Sequence, residues 1–135
     1  RQRQMCIRDR DEVLCRVRVP VQTKGQGWSY IKLPHPASGY SLLGVACLVT
    51  VDGGVCRDAR VAVTGAGPKA VRLTKVEQAL VGKRLEEAAV AEAARLASDG
   101  LEATDDLYAS AEYKRHLAVV YTKRALLRAA ERAAG

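Results

Sequence analysis

Apolar and polar residues alternate in the first part of the chain with the period of two that is typical of β-strands. In residues 13–19 the apolar side chains occupy every second position, and Arg16 and Arg18 fall between them. This pattern predicts a half-buried strand that ends at Pro20. Residues 22–27 are polar and predict a connection, and a short extended segment follows over residues 28–33.

Two longer apolar, β-branched runs follow, over residues 42–51 and 55–63, separated by Asp52, Gly53 and Gly54. Glycine readily adopts the positive φ angles that tight turns need, so the two runs predict an antiparallel hairpin. Both alternating sets of side chains in the first run are apolar. We therefore expect that strand to be covered on both faces.

The period then changes to that of helices. Thr74 and Glu77 have capping-box spacing, which predicts that their side chains bind the free amides of a helix start, and Gly82 closes this first helix. Its predicted apolar stripe is Leu73, Val76 and Leu80. A second helix is predicted over residues 85–98, with Glu86 and Glu87 in the first turn and Gly100 as the stop.

An acidic, irregular stretch at residues 101–109 precedes a third predicted helix, which is capped by Ser110 and reaches about residue 133. Its expected apolar positions are Tyr113, Leu117, Val120 and Leu127. Together these elements predict one domain of the α+β class: a small antiparallel sheet of about three strands, covered on one face by about three helices.

Composition and charge exclude some classes of function and leave the predicted fold unchanged. The net charge is +7, but residues 1–10 contribute four arginines against one aspartate, and the remainder carries 18 basic and 14 acidic groups. This mixed surface has no basic stripe interleaved with aromatic residues, so we expect no nucleic-acid binding. No apolar run approaches the roughly 18 residues that a membrane span requires, so we expect no membrane association and a cytoplasmic protein.

The residue types that carry chemistry are scattered. The cysteines are 9, 32 and 9 positions apart and His35 and His116 have no ligand at metal-binding spacing, so we predict no metal site. Glu86 and Glu87 are explained by a helix start, and Asp105 and Asp106 by a solvated linker. No serine lies in a nucleophile-elbow sequence. We therefore predict no catalytic residue in this chain.

Residues 1–10 have neither the period of two of a strand nor the period of a helix. Their order matches the translation of a common transposon-type sequencing adapter, which predicts that this stretch is an artefact and that native sequence begins near Asp11. The alternative is a genuine basic arm.

From Asp11 to its end, the chain carries a series of short motifs in one fixed order. Each is weakly specific by itself, and the ordered series is far more specific. The motifs are Val17-Arg18-Val19-Pro20, Gly27-Trp28-Ser29-Tyr30-Ile31-Lys32, Gly44-Val45-Ala46, Asp52-Gly53-Gly54-Val55-Cys56-Arg57-Asp58, Gly65-Ala66-Gly67-Pro68, Ala109-Ser110-Ala111-Glu112-Tyr113 and Lys123-Arg124-Ala125-Leu126. The series resembles the carboxy-terminal domain of the FAD-binding medium subunit of the carbon monoxide dehydrogenase and xanthine dehydrogenase (molybdenum hydroxylase) family.

The resemblance implies that residues 11–135 are an accessory domain, inactive alone, whose amino-terminal FAD-binding domain is missing. In this family the medium subunit holds FAD and receives electrons from 2Fe-2S centres on a small subunit. Those centres receive their electrons from a molybdopterin site on a large subunit. Tyr30 and Lys32 match the family's Tyr-x-Lys position beside the flavin, so the resemblance implies that both contact the cofactor. The residues alone favour the alternative that Tyr30 packs on the core and Lys32 is solvated, and the resemblance makes the two interpretations equal. The alternative function is a free-standing α+β interaction module.

Overall fold

The structure is a computed structural model that describes residue 13 and residues 15–135. The stretch attributed to an adapter lies outside these residues. The strands, in chain order, are β1 (Gln26–Pro34), β2 (Ser41–Asp52), β3 (Val55–Thr64) and β4 (Val71–Arg72). The helices are α1 (Thr74–Leu80), α2 (Glu87–Arg95), which continues into a 3-10 turn (Leu96–Ser98), and α3 (Ala111–Ala134).

The sheet is antiparallel, with its strands in sequence order, and the predicted α+β class is confirmed. It has four strands where about three were expected. The unpredicted two-residue β4 adds to β3 through the pairs Ala62 with Arg72 and Val63 with Val71, and the short extended segment predicted over residues 28–33 is the full strand β1. The predicted hairpin is also confirmed. Asp52 pairs with Val55, and the two turn residues Gly53 and Gly54 have φ angles of 59° and 79°.

One face of the sheet forms the core. Its side chains alternate along the strands and pack against α1 and α3, and α2 completes the helical layer by packing against those two helices. The largest fully buried side chains are Leu43, Val45, Val49, Val61 and Val63 from the sheet and Val76, Leu80, Val90 and Leu126 from the helices. Alanine from α2 and α3 completes the core, which lets the helices approach the sheet closely.

Helix α3 crosses β1 at very short range. A Cβ atom added to Gly27 would lie 1.9 Å from the carbonyl oxygen of Ala129, so only glycine fits there. Next to this contact, the buried Ser29 hydroxyl donates to the carbonyl of Ala125 at 2.7 Å. The predicted cap of α3 is confirmed, because Ser110 Oγ accepts from the amide of Tyr113.

The apolar stripe predicted for α3 was partly wrong. Leu117 is buried as expected, but Tyr113 remains about half exposed, and the buried positions also include small and polar residues. The small and polar ones are Lys114, Ala118, Thr122, Ala125 and Ala129, and Leu126 is a further buried leucine that the stripe did not include. Because α3 lies so close to β1, its buried face has room for alanine but not for leucine at most positions. A search for large apolar side chains does not find such a face.

The predicted capping box of α1 was wrong. The helix begins where predicted, but its N-cap position is Leu73 and no side chain binds the free amides. The carboxylate of Glu77 instead accepts from the amide of Val61 at 2.8 Å and from Arg72 at 2.6 and 2.9 Å. Glu77 therefore joins α1 to β3 and β4. Leu73, Val76 and Leu80 form the buried stripe as predicted.

The predicted strand over residues 13–19 was also wrong. Its described residues have no strand conformation, and Val13, Cys15, Val17 and Val19 are all exposed. A strand requires a neighbour for its amides and carbonyls, and the described part of the chain offers this segment none.

The linker at residues 101–109 is irregular as predicted, but it is more ordered than a solvated connection. The ammonium of Lys114 is buried and donates to the carbonyl of Thr104 at 2.8 Å and to Asp106 at 2.6 Å. Hydrogen bonds from Lys114 and from the amides of Tyr108 and Ala109 lower the pKa of Asp106 to about 2. In the described residues, no helix is long and apolar enough to cross a membrane.

Candidate functional site

The second face of the sheet has no helix on it. We call it the open face. It consists of the outward-pointing positions of the first three strands, and β4 borders it with Arg72. Its members are Trp28, Tyr30, Lys32, Gly44, Ala46, Leu48, Arg60 and Ala62. The expectation that the strand over residues 42–51 is covered on both faces was wrong, because Ala46 is exposed and Leu48 is only half-buried.

A shallow depression of about 320 Å³ lies on this face. Trp28, Tyr30, Ala46, Leu48 and Ala62 contribute to its lining, which is almost entirely apolar, and Arg60 and Arg72 contribute the charges. Trp28 and Tyr30 are each about half exposed. The depression can therefore receive a flat or apolar group against two aromatic rings.

Tyr30 lies in this depression because Gly44 leaves room for its ring. A Cβ atom at Gly44 would be 2.6 Å from the phenol oxygen of Tyr30 and 2.8 Å from the hydroxyl of Ser41. The predicted site residue Tyr30 is thus presented on a surface and does not pack into the core.

Lys32 lies on the same side of β1 as Tyr30, as strand alternation predicts. Its ammonium donates to the carbonyl of Gly39 at 3.1 Å, in the loop that follows β1. Lys32 does not line the depression occupied by Tyr30. The structure therefore puts the two predicted residues on one face, with the Tyr30 ring in the depression and the Lys32 ammonium bound to the loop after β1.

Sequence analysis missed the contact between Trp28 and Arg132. The guanidinium of Arg132, near the end of α3, lies 4.7 Å from the centre of the Trp28 ring and donates to the Trp28 carbonyl at 2.7 Å. Strand alternation could have placed Trp28 beside Tyr30. No local signal could have found Arg132, which is 104 positions away along the chain.

The charges at the border of the open face are largely neutralised. Arg60 pairs with Asp58 at 3.2 Å, and Arg72 binds both carboxylate oxygens of Glu77. Burial by itself raises the pKa of Glu77, but the hydrogen bonds from Arg72 and Val61 outweigh it and lower that pKa below its ordinary value. The same pair raises the pKa of Arg72, chiefly through the hydrogen bond to Glu77.

The open face suits an aromatic ring system better than it suits phosphate or metal. Gly25 and Gly27 lead into strand β1 and not into a helix, so they form no phosphate-binding helix start. Among the described residues, no group of three or more His, Cys, Asp and Glu side chains could hold a metal ion. His35 has a local structural role, because its Nδ1 accepts from the amides of Ala37 and Ser38.

Another depression, of about 420 Å³, lies between α2 and α3, away from the open face. Its lining is mostly apolar and includes Ala91, Val120 and Leu127, and the ion pair of Glu87 with Lys123 borders it. It contains none of the predicted site residues and no exposed aromatic ring. The open face is therefore the stronger candidate site.

Comparison with known proteins agrees with this geometry. Residues 28–129 match the family described as CO dehydrogenase flavoprotein C-terminal domain. The chain is 33% identical over 122 residues to the carbon monoxide dehydrogenase medium chain of Hydrogenophaga pseudoflava. The matched residues make up 90% of this chain and 42% of the Hydrogenophaga protein. It is 31% identical over 123 residues to the 6-hydroxypseudooxynicotine dehydrogenase complex subunit alpha of Paenarthrobacter nicotinovorans, with the same two shares.

Solved structures give the same result. Carbon monoxide dehydrogenase from Hydrogenophaga pseudoflava, in a form that lacks the Mo-pyranopterin moiety, matches with a TM-score of 0.79 and 36% identity over 84% of this chain and 40% of that one. Quinoline 2-oxidoreductase from Pseudomonas putida 86 matches with a TM-score of 0.75 and 31% identity over 80% of this chain and 38% of that one.

The chain spans about two fifths of the length of the curated relatives that it matches. The family match covers most of the described residues, including β1 from residue 28, all of β2, β3 and β4, and the first part of α3 through residue 129. The chain therefore belongs to the CO dehydrogenase flavoprotein C-terminal domain family.

Proposed function

We propose that this chain is the accessory domain of the FAD subunit of a molybdenum hydroxylase, packing beside the flavin and assisting electron transfer from iron–sulfur centres to FAD. The observation that carries the proposal is the open face. An apolar sheet face with two half-exposed aromatic rings is usually covered by another layer of structure. We assign that covering layer to the FAD-binding part of the same subunit.

Two residues of the open face would border the cofactor. FAD supplies the electron-accepting isoalloxazine ring when it is bound. The exposed phenol ring of Tyr30 can cover one side of that ring system. The ammonium of Lys32 would stabilise negative charge at the edge of the reduced flavin, provided that it exchanges its bond to Gly39 for the cofactor.

The remaining parts of the proposal concern partners and location. The molybdopterin and 2Fe-2S groups would lie on partner subunits, and the substrate would be oxidised there. Two observations support a multi-subunit setting: the relatives include subunits of named dehydrogenase complexes, and the chain covers 42% of their length. A cytoplasmic location and the lack of independent activity belong to the same proposal.

The first test is the genomic DNA upstream of the codon for Asp11. We expect an open reading frame that encodes two glycine-rich loops, next to genes for an iron–sulfur subunit and a molybdopterin subunit. A start codon just ahead of Val13, with a product that is folded and monodisperse by itself, would contradict the proposal.

The second test uses the subunit that this reading frame encodes. We expect Tyr30→Leu to shift the visible absorption spectrum and the reduction potential of the bound flavin. Tyr113→Leu is a matched control, because Tyr113 is exposed to a similar extent, 47% against 49%, but lies on α3. Equal spectra for both variants and the unmodified subunit would contradict a role of Tyr30 beside the flavin.

A second candidate function is a free-standing interaction module, which the apolar depression between α2 and α3 favours. This module would bind a partner helix at Ala91, Val120 and Leu127 and would leave the open face uncovered. Aspartate in place of Val120 would then abolish partner binding, whereas Tyr30→Leu would have no effect. The opposite result would support the flavin subunit.

A further inference from the structure

The segment over residues 13–21 exposes four valines that have the pattern of a buried strand. Val13, Val17, Val19 and Val21 are exposed by 83%, 71%, 79% and 87%. Single exposed apolar residues are ordinary on protein surfaces, but four within nine positions are a concentrated apolar surface. We call these residues the valine segment.

The backbone of the valine segment is as unpartnered as its side chains. Within the described part of the chain, the first backbone hydrogen bond after the segment is that of the Gln26 amide to the Thr23 carbonyl. Residues 13–19 nevertheless alternate as a strand does, with Val13, Cys15, Val17 and Val19 on one side and Arg16 and Arg18 on the other. Valine also favours extended backbone because it is β-branched. The segment therefore has the alternation and the β-branched residues of a strand, but no neighbouring strand in the described part of the chain to bind its backbone amides and carbonyls.

The segment does not find that neighbour on its own sheet. The amide of Val51 binds the carbonyl of Gly25, so the chain is anchored at the start of β1, and Gly25 then turns it with a φ of 79°. Residues 19–22 pass beside Trp28, Leu48 and Arg60 and leave an unfilled gap of about 520 Å³ between themselves and the open face. The chain thus leaves from a fixed point at one end of the open face.

The described residues of the 13–19 stretch form no strand in this chain by itself. We propose that residues 13–19 become a β-strand only by joining the edge of a sheet in the polypeptide that covers the open face. This inference rests on the proposed function, which makes that polypeptide the flavin-binding part of the same subunit. The partner edge would supply the missing backbone hydrogen bonds and an apolar surface for Val13, Val17 and Val19. Carboxylates or solvent would face Arg16 and Arg18. The strand would then fasten the two parts of the subunit together.

Hydrogen exchange of backbone amides tests the strand directly. The exchange of the amides at residues 15–19 is measured by mass spectrometry in the 135-residue chain and in the full-length flavin-loaded subunit. We expect rapid exchange in the chain. In the subunit we expect exchange at least about 100-fold slower at the alternate amides that face the partner strand, because those amides exchange only when the pairing opens. Rapid exchange in both proteins would overturn the strand, and so would equal protection in both, since the segment would then pair within this chain.

The proposed function and this inference can fail separately. If Tyr30→Leu shifts the flavin spectrum while the amides of residues 15–19 exchange rapidly in the subunit, the open face borders the flavin and the strand is wrong. If those amides are protected but Tyr30→Leu changes nothing, the strand exists and the proposed role of Tyr30 is wrong.

A pair of variants gives an independent measurement. Val17→Asp puts a charge into the proposed strand, whereas Val21→Asp makes the same change beyond Pro20, at a side chain that is at least as exposed. In the 135-residue chain we expect neither variant to change the melting temperature. In the full-length subunit we expect Val17→Asp to lower it by several degrees more than Val21→Asp does. Equal effects of the two variants on the subunit would overturn the strand.

Discussion

The two faces of the sheet are built from the same three strands and differ in almost every physical respect. The covered face is closed by α1 and α3, with α2 behind them, and most of its valines and leucines are fully buried. The open face carries tryptophan, tyrosine, lysine and arginine side chains beside small apolar residues, and helix α3 reaches its border through Arg132, which lies on the Trp28 ring. The difference shows that the helices stabilise this domain from one side only, so the other face is free for binding.

Two glycines, one on each face, show the difference most clearly, because an added side chain at either position would collide with its neighbours. At Gly27, on the covered face, an added Cβ meets the backbone of α3. At Gly44, on the open face, it meets the ends of the Tyr30 and Ser41 side chains. Backbone in a packed helix cannot move away cheaply, whereas an exposed side chain can.

The largest expected effect follows from this contrast. Gly27→Ala should lower the free energy of unfolding by about 3 kcal/mol or more, because β1 and α3 must separate. Gly44→Ala should cost less than about 1 kcal/mol, since Tyr30 can move aside. Urea denaturation of both variants measures the difference. Equal losses would show that the open face is packed as tightly as the covered one.

Glu77 joins the helices to the edge of the sheet, and its removal should have the next largest effect. Glu77→Gln should lower the free energy of unfolding at pH 7 by about 1–2 kcal/mol, because the charged bond to Arg72 is lost. The exposed Glu131→Gln is the matched control and should change it by less than about 0.5 kcal/mol.

The same carboxylate makes stability depend on pH. Folding lowers the pKa of Glu77 below its ordinary value of 4.5. Its contribution is therefore complete above pH 4.5 and is lost as the pH falls through the lowered value. Glu77→Gln should lack this part of the acid dependence, which denaturation at several pH values measures. An unchanged pH profile in the variant would contradict the lowered pKa.

Arg132 connects the covered side to the open face, and its effect should be smaller. Arg132→Gln removes the cation–π contact with Trp28 and should cost about 0.5–1 kcal/mol. Because Trp28 is the single tryptophan of the chain, its fluorescence emission reports the change directly. Arg128→Gln, on the same helix, should leave the emission unchanged. A shift in both variants would indicate a general change in α3.

Lys32 should have the smallest effect on the chain itself. Lys32→Gln removes one exposed hydrogen bond to Gly39 and should change the free energy of unfolding by less than about 0.5 kcal/mol. Thermal denaturation measures this. A larger loss would mean that Lys32 stabilises the loop after β1 and is not free to face a cofactor.

Local patterns account for the parts of the fold that sequence predicted well. The Gly53 and Gly54 turn joins two runs that are adjacent in the chain, so the hairpin needs no distant information. The Ser110 cap acts three residues away. Alternation also put Tyr30 and Lys32 on one face. The motif series identified the family because it extends along most of the chain.

Distant partners account for the failures. Thr74 and Glu77 have the spacing of a capping box, but Val61 and Arg72 offer the Glu77 carboxylate better donors than the helix start does. The alternation of residues 13–19 specifies which side chains share a face. It does not specify a neighbouring strand, and the described part of the chain has none to offer.

The sequence by itself determined the two strands of the hairpin, the three helices, the position of the hairpin turn and the family. The elements depend on periods and turns a few residues long, and the family depends on motifs whose order extends along the chain. Only the tertiary structure decided that the outward side chains of β2 are left uncovered, that Arg132 lies on Trp28, and that Glu77 joins α1 to the sheet. Those features depend on contacts between residues far apart in the chain, whose free energies are settled only when the whole domain is packed.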